Sequence, residues 1–267
     1  MRMPMPLHTT LNTLPIHWPG LAANVGVLST LRTGGVSSAP FDNGAGGGGL
    51  NLGTHVGDAP EAVARNRGLL RALLPADPAW LTQVHGVDVV DALHVLRQDL
   101  PVRADASIAT SEGTVCAIMT ADCMPVLFAD LEGRVVGAAH AGWRGLAQGV
   151  LENTVAQMRD AGAGELMAWL GPAIGAERFE VGEDVPRAFR RLGDNAQLAF
   201  RPIADSEGKF LADLPALARL ALAAVGVTRV AGGEHCTVSE PEHFYSFRRD
   251  RVTGRMASLI WIRHLPG

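Results

Sequence analysis

Three short apolar runs near the middle of the chain, at residues 114–120, 124–129 and 134–140, constrain the fold more than any other feature. Each run has the length and composition of a buried strand, and a tight turn joins the last two. Cys123 separates the first two runs, and His140 ends the third. The pattern therefore predicts a hairpin-like unit that brings a thiol and an imidazole together at its rim.

A second imidazole, that of His85, lies upstream in another stretch of turn formers. His85, Cys123 and His140 all have small residues or turn formers as neighbours, which leave room for a ligand. Imidazole and thiolate groups bind zinc well, and three protein ligands plus a water molecule are typical of catalytic zinc. We therefore predict that these three residues bind one zinc ion and take part in catalysis. Asp122, directly before Cys123, is the candidate acid/base residue.

Composition indicates a globular protein with a packed core and no charged surface for nucleic acid or acidic membranes. The chain has 267 residues, 47% of them hydrophobic, which is sufficient for one large packed domain. Its formal net charge of -4 gives no basic surface for nucleic acid or acidic membranes. Its three cysteines are too few for a disulfide framework, and no apolar run approaches the roughly 18 residues of a membrane span. We expect a cytoplasmic protein, and the sequence leaves its oligomeric state open.

The remaining elements follow from periodicity and capping signals. They are predicted strands at 24–30, 79–90 (bent or paired, and carrying His85), 167–170, 227–230 and 256–262, and predicted helices at 59–74, 145–160 and 213–225. Strands and helices are mixed without regular alternation, which is typical of an α+β fold with a mixed sheet. We expect a loose N-terminal leader at 1–20 and a single catalytic domain at 21–267.

Two further features could bind an anion. Arg144 follows Trp143 at the predicted start of a helix, where a guanidinium fork and helix amides would suit phosphate. A packed surface arginine is the alternative interpretation. The segment 43–49 holds five glycines in seven residues but lacks the Gly-Lys-Ser/Thr of a P-loop, which favours a surface loop.

Several segments match one protein family, in the family's order and along residues 24–262. They are Asn51-Leu52-Gly53, His55-Val56-Gly57-Asp58, Asn66-Arg67, Gln83-Val84-His85-Gly86, Ala121-Asp122-Cys123-Met124-Pro125, His140-Ala141-Gly142-Trp143-Arg144-Gly145, Gly171-Pro172 and Tyr245-Ser246-Phe247-Arg248-Arg249-Asp250. On these segments the chain resembles the YfiH-like family, also called the laccase-domain or purine nucleoside phosphorylase family. Earlier labels of that family are polyphenol oxidase and peptidoglycan-editing factor.

The resemblance implies an α/β/β/α sandwich, with zinc bound by His85, Cys123 and His140. It also implies phosphorolysis of adenosine, inosine and methylthioadenosine, together with deamination of adenosine. The partners would then be a small-molecule nucleoside and phosphate. We assign Asn51, His55 and Arg248, which lie in matching segments, to substrate binding. The glycine-rich loop is longer than we expect for the family.

Two other enzymes fit part of the pattern. A copper polyphenol oxidase would need several coppers, but no two of the nine histidines have the His-X-His spacing typical of multicopper centres. A metal-free hydrolase or amidase acting on cell-wall precursors would use Cys123 as nucleophile and His140 as base, and would leave His85 without a role. A binding module without catalysis is disfavoured by the open coordination position. The sequence does not say whether phosphorolysis or deamination dominates, or which nucleoside is preferred.

Overall fold

The computed structural model describes residues 11–264 of the chain. Within this range the strands are β1 Val25–Ser29, β2 Thr33–Ser37, β3 Pro78–Ala79, β4 Val89–Asp91, β5 Ala106–Ala109, β6 Val115–Thr120, β7 Met124–Asp130, β8 Val136–Ala141, β9 Leu166–Leu170, β10 Glu180–Gly182, β11 Phe200–Pro202, β12 Lys209–Ala212, β13 Arg229–Gly232 and β14 Met256–Ile262. The helices are α1 Pro60–Arg71, α2 Ala92–Leu96, α3 Trp143–Gln148, α4 Val150–Asp160, α5 Asp184–Ala188, α6 Leu214–Ala224 and α7 Phe247–Asp250, with 3-10 helices at Phe189–Leu192 and Asp194–Ala199.

Two mixed sheets form the centre of the fold. The larger has six strands in the order β13-β9-β7-β8-β5-β4, and the smaller has four in the order β1-β14-β6-β3. Both contain parallel and antiparallel pairs. A third sheet, β10-β12-β11, lies outside this pair of sheets in the topology.

Alternating side chains of β7 show how the layers stack. Val126 and Phe128 belong to a buried cluster with residues of α4 and α6, whereas Leu127 belongs to a second cluster that includes Ile118 and Ile260 of the smaller sheet. Because successive side chains of a strand point to opposite faces, the larger sheet lies between the helices and the smaller sheet. A third cluster joins the outer face of the smaller sheet to α1. The layers are therefore α/β/β/α, and the predicted α+β sandwich is confirmed.

Two predicted elements differ in the structure. Residues 79–90 do not form a strand carrying His85, since β3 ends at Ala79, β4 begins at Val89, and His85 lies in the loop between them with a φ of 61°. The predicted helix at 145–160 begins earlier and is divided at Gly149, whose φ of 103° is incompatible with a continuous helix.

The predicted leader is only partly described, because residues 1–10 lie outside the described range. Residues 11–20 pack on the sheets: Leu14 and Trp18 are buried, and the Leu14 amide donates to the Ser29 carbonyl. These contacts tie this segment to the core, although we predicted a loose one. Among residues 11–264, no helix has the length and apolar character needed to cross a membrane.

Candidate metal centre

The side chains of His85, Cys123 and His140 converge, as the sequence predicts. One ligand atom from each lies within 4.8 Å of the others, and the Cys123 Sγ to His85 Nε2 distance is 3.8 Å. The two imidazole rings meet edge to face, with centroids 4.8 Å apart. His140 is buried, Cys123 is half-buried, and His85 is exposed. The site therefore opens to solvent on the His85 side.

The pairing of β7 with β8 explains why Cys123 and His140 meet. Pro125 lies opposite His140 in this antiparallel pair, and Cys123 occupies the bend directly before β7. Asp122 adopts a φ of 94°, and its carboxylate accepts hydrogen bonds from the Thr237 hydroxyl at 2.6 Å and the Arg248 amide at 2.5 Å. Asp122 thus fixes the bend that presents the thiol. Both of its oxygens accept hydrogen bonds and it does not line the cavity described below, an arrangement that favours a structural role; the acid/base role stays a prediction.

Asp105, which we did not predict from the sequence, organises two of the three ligands. Its fully buried carboxylate accepts from the Nδ1 of His140 at 2.8 Å and from the backbone amides of Val84, His85 and Gly86 at 2.7–3.1 Å. The bond to Nδ1 leaves Nε2 of His140 as its free ring nitrogen. This arrangement is typical of metal-binding histidines, whose second nitrogen donates to a carboxylate. The available signal was one carboxylate among the small and apolar residues at 104–109.

Charges around the site favour the thiolate form of Cys123. Burial would raise the pKa of this thiol, but the imidazoles of His140 and His85 lower it to about 6. Burial would likewise lower the pKa of His140, but the Cys123 thiolate and the Asp105 carboxylate raise it to about 9. Hydrogen bonds from His140 and backbone amides hold the pKa of Asp105 below its usual value against the effect of burial. Metals bind thiolates rather than thiols, so the lowered pKa favours the form of Cys123 that can bind a metal ion.

The geometry fits a tetrahedral metal ion. Neighbouring ligand atoms around zinc lie about 3.3–3.7 Å apart, since Zn–N and Zn–S distances are about 2.1 and 2.3 Å. The 3.8 Å between Cys123 Sγ and His85 Nε2 is close to this spacing. The widest separation, within 4.8 Å, is about 1 Å longer than this spacing, so metal binding would draw the ligand atoms closer together. Two nitrogens and one sulfur suit zinc and leave a fourth position open to the cavity.

Gly142→Ala should weaken metal binding about tenfold without unfolding the protein. Gly142 has a φ of -62°, which alanine also adopts, but a Cβ there would lie 3.0 Å from Cys123 Sγ and 3.1 Å from His85 Cδ2. The two ligands would have to move by a few tenths of an ångström, and metal–ligand distances tolerate about 0.2 Å. Competition with a chromogenic chelator measures the affinity. Gly68→Ala is the control, since a Cβ at Gly68 meets nothing within 4 Å; equal affinities in the two variants would contradict the prediction.

A cavity of about 910 Å³ adjoins the three ligands. This volume is sufficient for a nucleoside and a phosphate together. Its wall includes His85, Cys123 and His140 with Thr54, His55, Arg67, Trp80, Gln83, Leu96, Asp99, Leu100, Met119, Phe247 and Arg255. Arg67 lies in the family-matching segment Asn66-Arg67 but was given no role from the sequence, and nothing in the local pattern of Arg255 distinguishes it from other arginines.

The other predicted site residues occupy different places. His55 lines the cavity, which is compatible with the substrate-binding role expected for it, and that role stays a prediction. Asn51 is fully buried, and its amide side chain bonds to Gly53, Asp58 and the Arg255 backbone, so it holds the cavity wall rather than facing a substrate.

Two predicted arginines also lie away from the cavity wall. Arg144 is exposed, with its guanidinium 4.5 Å from the ring centroid of Trp143, which is the alternative interpretation of the sequence. Arg248 donates to the Glu180 carbonyl at 2.9 Å and lies over Phe179. Neither residue lines the cavity, so the structure does not bring either arginine to the proposed substrate, and their substrate-binding roles stay predictions.

The glycine-rich loop does not offer free amides to an anion. The side chain of Asp42 accepts from the amides of Gly44 and Gly46, and that of Asn43 accepts from Ala45 and Gly47. These local bonds give the loop a closed structure of its own, as in the surface-loop interpretation.

Comparison with known proteins identifies the family. A family model described as multi-copper polyphenol oxidoreductase laccase matches residues 26–263, which is nearly all of the chain. The chain belongs to this laccase family. Relatives at about half identity carry the name YfiH, so the resemblance stated from the motifs is confirmed.

Members of the laccase family with high similarity are named as phosphorylases. A purine nucleoside phosphorylase of Pseudomonas aeruginosa is 51% identical, covering 92% of this chain and 96% of the relative. The purine nucleoside phosphorylase YfiH of Escherichia coli K12 is 49% identical, covering 92% of this chain and 96% of the relative. The crystal structure of the Neisseria meningitidis protein NMB0706 matches with a TM-score of 0.86 at 51% identity, covering 95% of this chain and 100% of that one.

Proposed function

We propose that this chain is a zinc-dependent purine nucleoside phosphorylase that cleaves adenosine, inosine and methylthioadenosine, and that it also deaminates adenosine. The observation that carries the proposal is the convergence of His85, Cys123 and His140 on the wall of a nucleoside-sized cavity. The names of relatives at about half identity support the choice of substrate class. We also propose that the enzyme works in the cytoplasm on small molecules alone, with a nucleoside and phosphate as its partners.

In phosphorolysis an oxygen of phosphate forms a bond to the ribose C1′ while the bond from C1′ to the purine nitrogen breaks. The electron pair of that bond leaves with the purine, which takes up a proton, and ribose 1-phosphate is the other product. Deamination adds water to C6 of adenine and releases ammonia. Bound zinc would supply a Lewis acid that stabilises negative charge on an oxygen atom. The chain's own residues hold the reactants in the cavity, orient them and offset the charge of phosphate.

The donor set favours zinc over copper, although the family description names copper. One thiolate and two imidazoles with an open position are typical of a mononuclear catalytic zinc site. Multicopper oxidation requires several coppers, and His85, Cys123 and His140 are the only cluster of this kind found among residues 11–264. Elemental analysis of the purified protein separates the two: about one equivalent of zinc is expected, and several equivalents of copper would contradict the proposal.

Incubation with adenosine tests the reaction. With phosphate present we expect adenine and ribose 1-phosphate, together with inosine from deamination; without phosphate only inosine should form. Chromatography of the bases and nucleosides measures both products, and inosine and methylthioadenosine serve as further substrates. Zinc-loaded protein that leaves all three nucleosides unchanged would contradict the proposed function.

A Cys–His hydrolase or amidase acting on cell-wall precursors is the second candidate, and one observation favours it. The Asp105 carboxylate orients His140, which lies beside the Cys123 thiol, as in a nucleophile–base–carboxylate arrangement. This interpretation gives His85 no catalytic role. The same groups serve a metal site equally well, and the His85→Ala variant separates the two, since only the metal site uses His85.

A further inference from the structure

Two arginine side chains face the cavity beside the metal ligands. Arg67 lies on α1 and Arg255 directly precedes β14, and both are half-buried. Among residues 11–264, no carboxylate lies within 4.0 Å of either guanidinium. The one carboxylate that lines the cavity, Asp99, is exposed. The cavity therefore carries two positive charges that the described protein does not pair.

Backbone bonds hold these guanidinium groups in place while leaving donors free. Arg67 donates from Nε to the Leu52 carbonyl at 3.0 Å and lies 4.4 Å from the ring centroid of Trp80. Arg255 donates from Nη1 to the carbonyls of Thr253 and Gly254 at 3.1 and 3.0 Å. Within the described range, Nη1 of Arg67 and both Nε and Nη2 of Arg255 have no protein acceptor.

The buried segment 51–53 links the two arginines. The Leu52 carbonyl accepts from Arg67, the Leu52 amide donates to the Arg255 carbonyl at 3.1 Å, and the Asn51 side chain accepts from the Arg255 amide at 2.9 Å. The segment thus holds the side chain of Arg67 and the backbone of Arg255 in a defined relative position. A rigid pair of donors loses little entropy when it binds a ligand, so this arrangement is suited to recognition.

The electrostatics of the wall favour an anion. Burial lowers the pKa of both arginines, as is typical of cationic groups that are partly removed from water. Burial, Arg255 and Arg67 together lower the pKa of His55, so both charges act on the same part of the cavity. The Cys123 thiolate and Asp122 act in the opposite sense and raise the pKa of Arg255. An incoming anion would relieve this uncompensated positive charge.

We propose that Arg67 and Arg255 bind the phosphate that attacks the nucleoside. The free donors of two planar guanidinium groups suit the several oxygens of phosphate, which bind arginine by paired hydrogen bonds. Both guanidinium groups belong to the wall of the cavity that the metal ligands also line, so the anion would lie in that cavity. The choice of phosphate as the anion rests on the proposed phosphorolysis, whereas the anion site itself rests on the geometry. The ribose 1-phosphate product shares this chemistry and would occupy the same donors.

Titration calorimetry with inorganic phosphate on the metal-loaded protein tests the assignment. Arg67→Gln and Arg255→Gln should each raise the Kd for phosphate about tenfold or more, because a hydrogen bond between charged groups is lost. The KM for phosphate should rise by a similar factor, with a much smaller change in the KM for nucleoside. Arg255→Lys keeps the positive charge but not the planar guanidinium group with its paired donors. Its Kd for phosphate should therefore lie between those of the wild type and Arg255→Gln. Arg65→Gln on the same helix is the control, since Arg65 is exposed and does not line the cavity.

The outcomes separate this assignment from the proposed function. Wild-type protein that binds phosphate through these arginines but cleaves no nucleoside would contradict phosphorolysis and leave the anion site standing. Phosphate affinity that is unchanged in both glutamine variants, with metal content and circular dichroism as in the wild type, would overturn the site. Wild-type protein with no millimolar affinity for phosphate would overturn it as well. Parallel titration with ribose 1-phosphate shows whether the product competes for the same donors.

Discussion

Replacing Cys123 with serine should remove the bound metal and nucleoside turnover together. Serine keeps a hydroxyl group but loses the thiolate that the neighbouring imidazoles stabilise. One ligand of three contributes much of the binding, so we expect metal affinity to fall by more than the 10- to 100-fold typical of an outer-shell change. Metal content by elemental analysis and adenosine turnover measure the two effects. Cys236→Ser, at a free and half-buried cysteine outside the site, should alter neither.

His85→Ala separates the metal enzyme from a cysteine hydrolase. In the metal site His85 is one of three ligands, so its loss should abolish metal binding and turnover as the loss of Cys123 does. In a hydrolase the Cys123–His140 pair would survive the change. An active, metal-free His85→Ala protein would therefore contradict the zinc proposal. We expect the free energy of unfolding, measured with chelator present, to fall by about 1 kcal/mol or less, because the exposed His85 adds little to the core.

The central strands could be predicted because their pattern is local. Cys123 directly precedes one apolar run and His140 ends the next, and a short turn joins these two runs. The antiparallel pairing of Met124 with Ala141 and of Pro125 with His140 follows from that turn. The helix at 214–224 begins at Asp213, whose side chain caps it as its position in the sequence suggests. Elements of this kind can be predicted from the sequence because residues close together in the chain determine them.

Other parts of the site depend on contacts between distant segments, which the local pattern does not contain. His85 adopts its left-handed conformation because the Asp105 carboxylate, 20 residues away, binds the amides around it. Arg255 reaches the cavity because it pairs with Asn51 and Leu52 across 204 residues of sequence. The sequence left two interpretations of Arg144 open, and only the structure shows that its guanidinium lies over the Trp143 ring, as in a packed surface arginine.

Asp105→Asn should both destabilise the fold and weaken metal binding. The carboxylate accepts four hydrogen bonds with two oxygens, whereas an asparagine has one acceptor and would turn donors toward some of these N–H groups. Each buried donor that loses its partner costs about 1–3 kcal/mol, so we expect the free energy of unfolding to fall by about 2–4 kcal/mol. Denaturant unfolding with chelator present isolates this effect from metal binding.

Metal affinity in the same variant should fall about 10- to 100-fold, because the second nitrogen of His140 loses the carboxylate that orients it. The affinity is measured by chelator competition at a temperature where the variant remains folded. Asp88→Asn provides the matched control, since Asp88 is exposed and its backbone carbonyl, not its side chain, contacts the Asp105 segment. If Asp105 had only a structural role, the Asp105→Asn variant would be less stable, but its metal affinity in the folded state would equal that of the wild type. The joint loss would show that one buried carboxylate holds the His85 loop and the His140 ring in the geometry that binds metal.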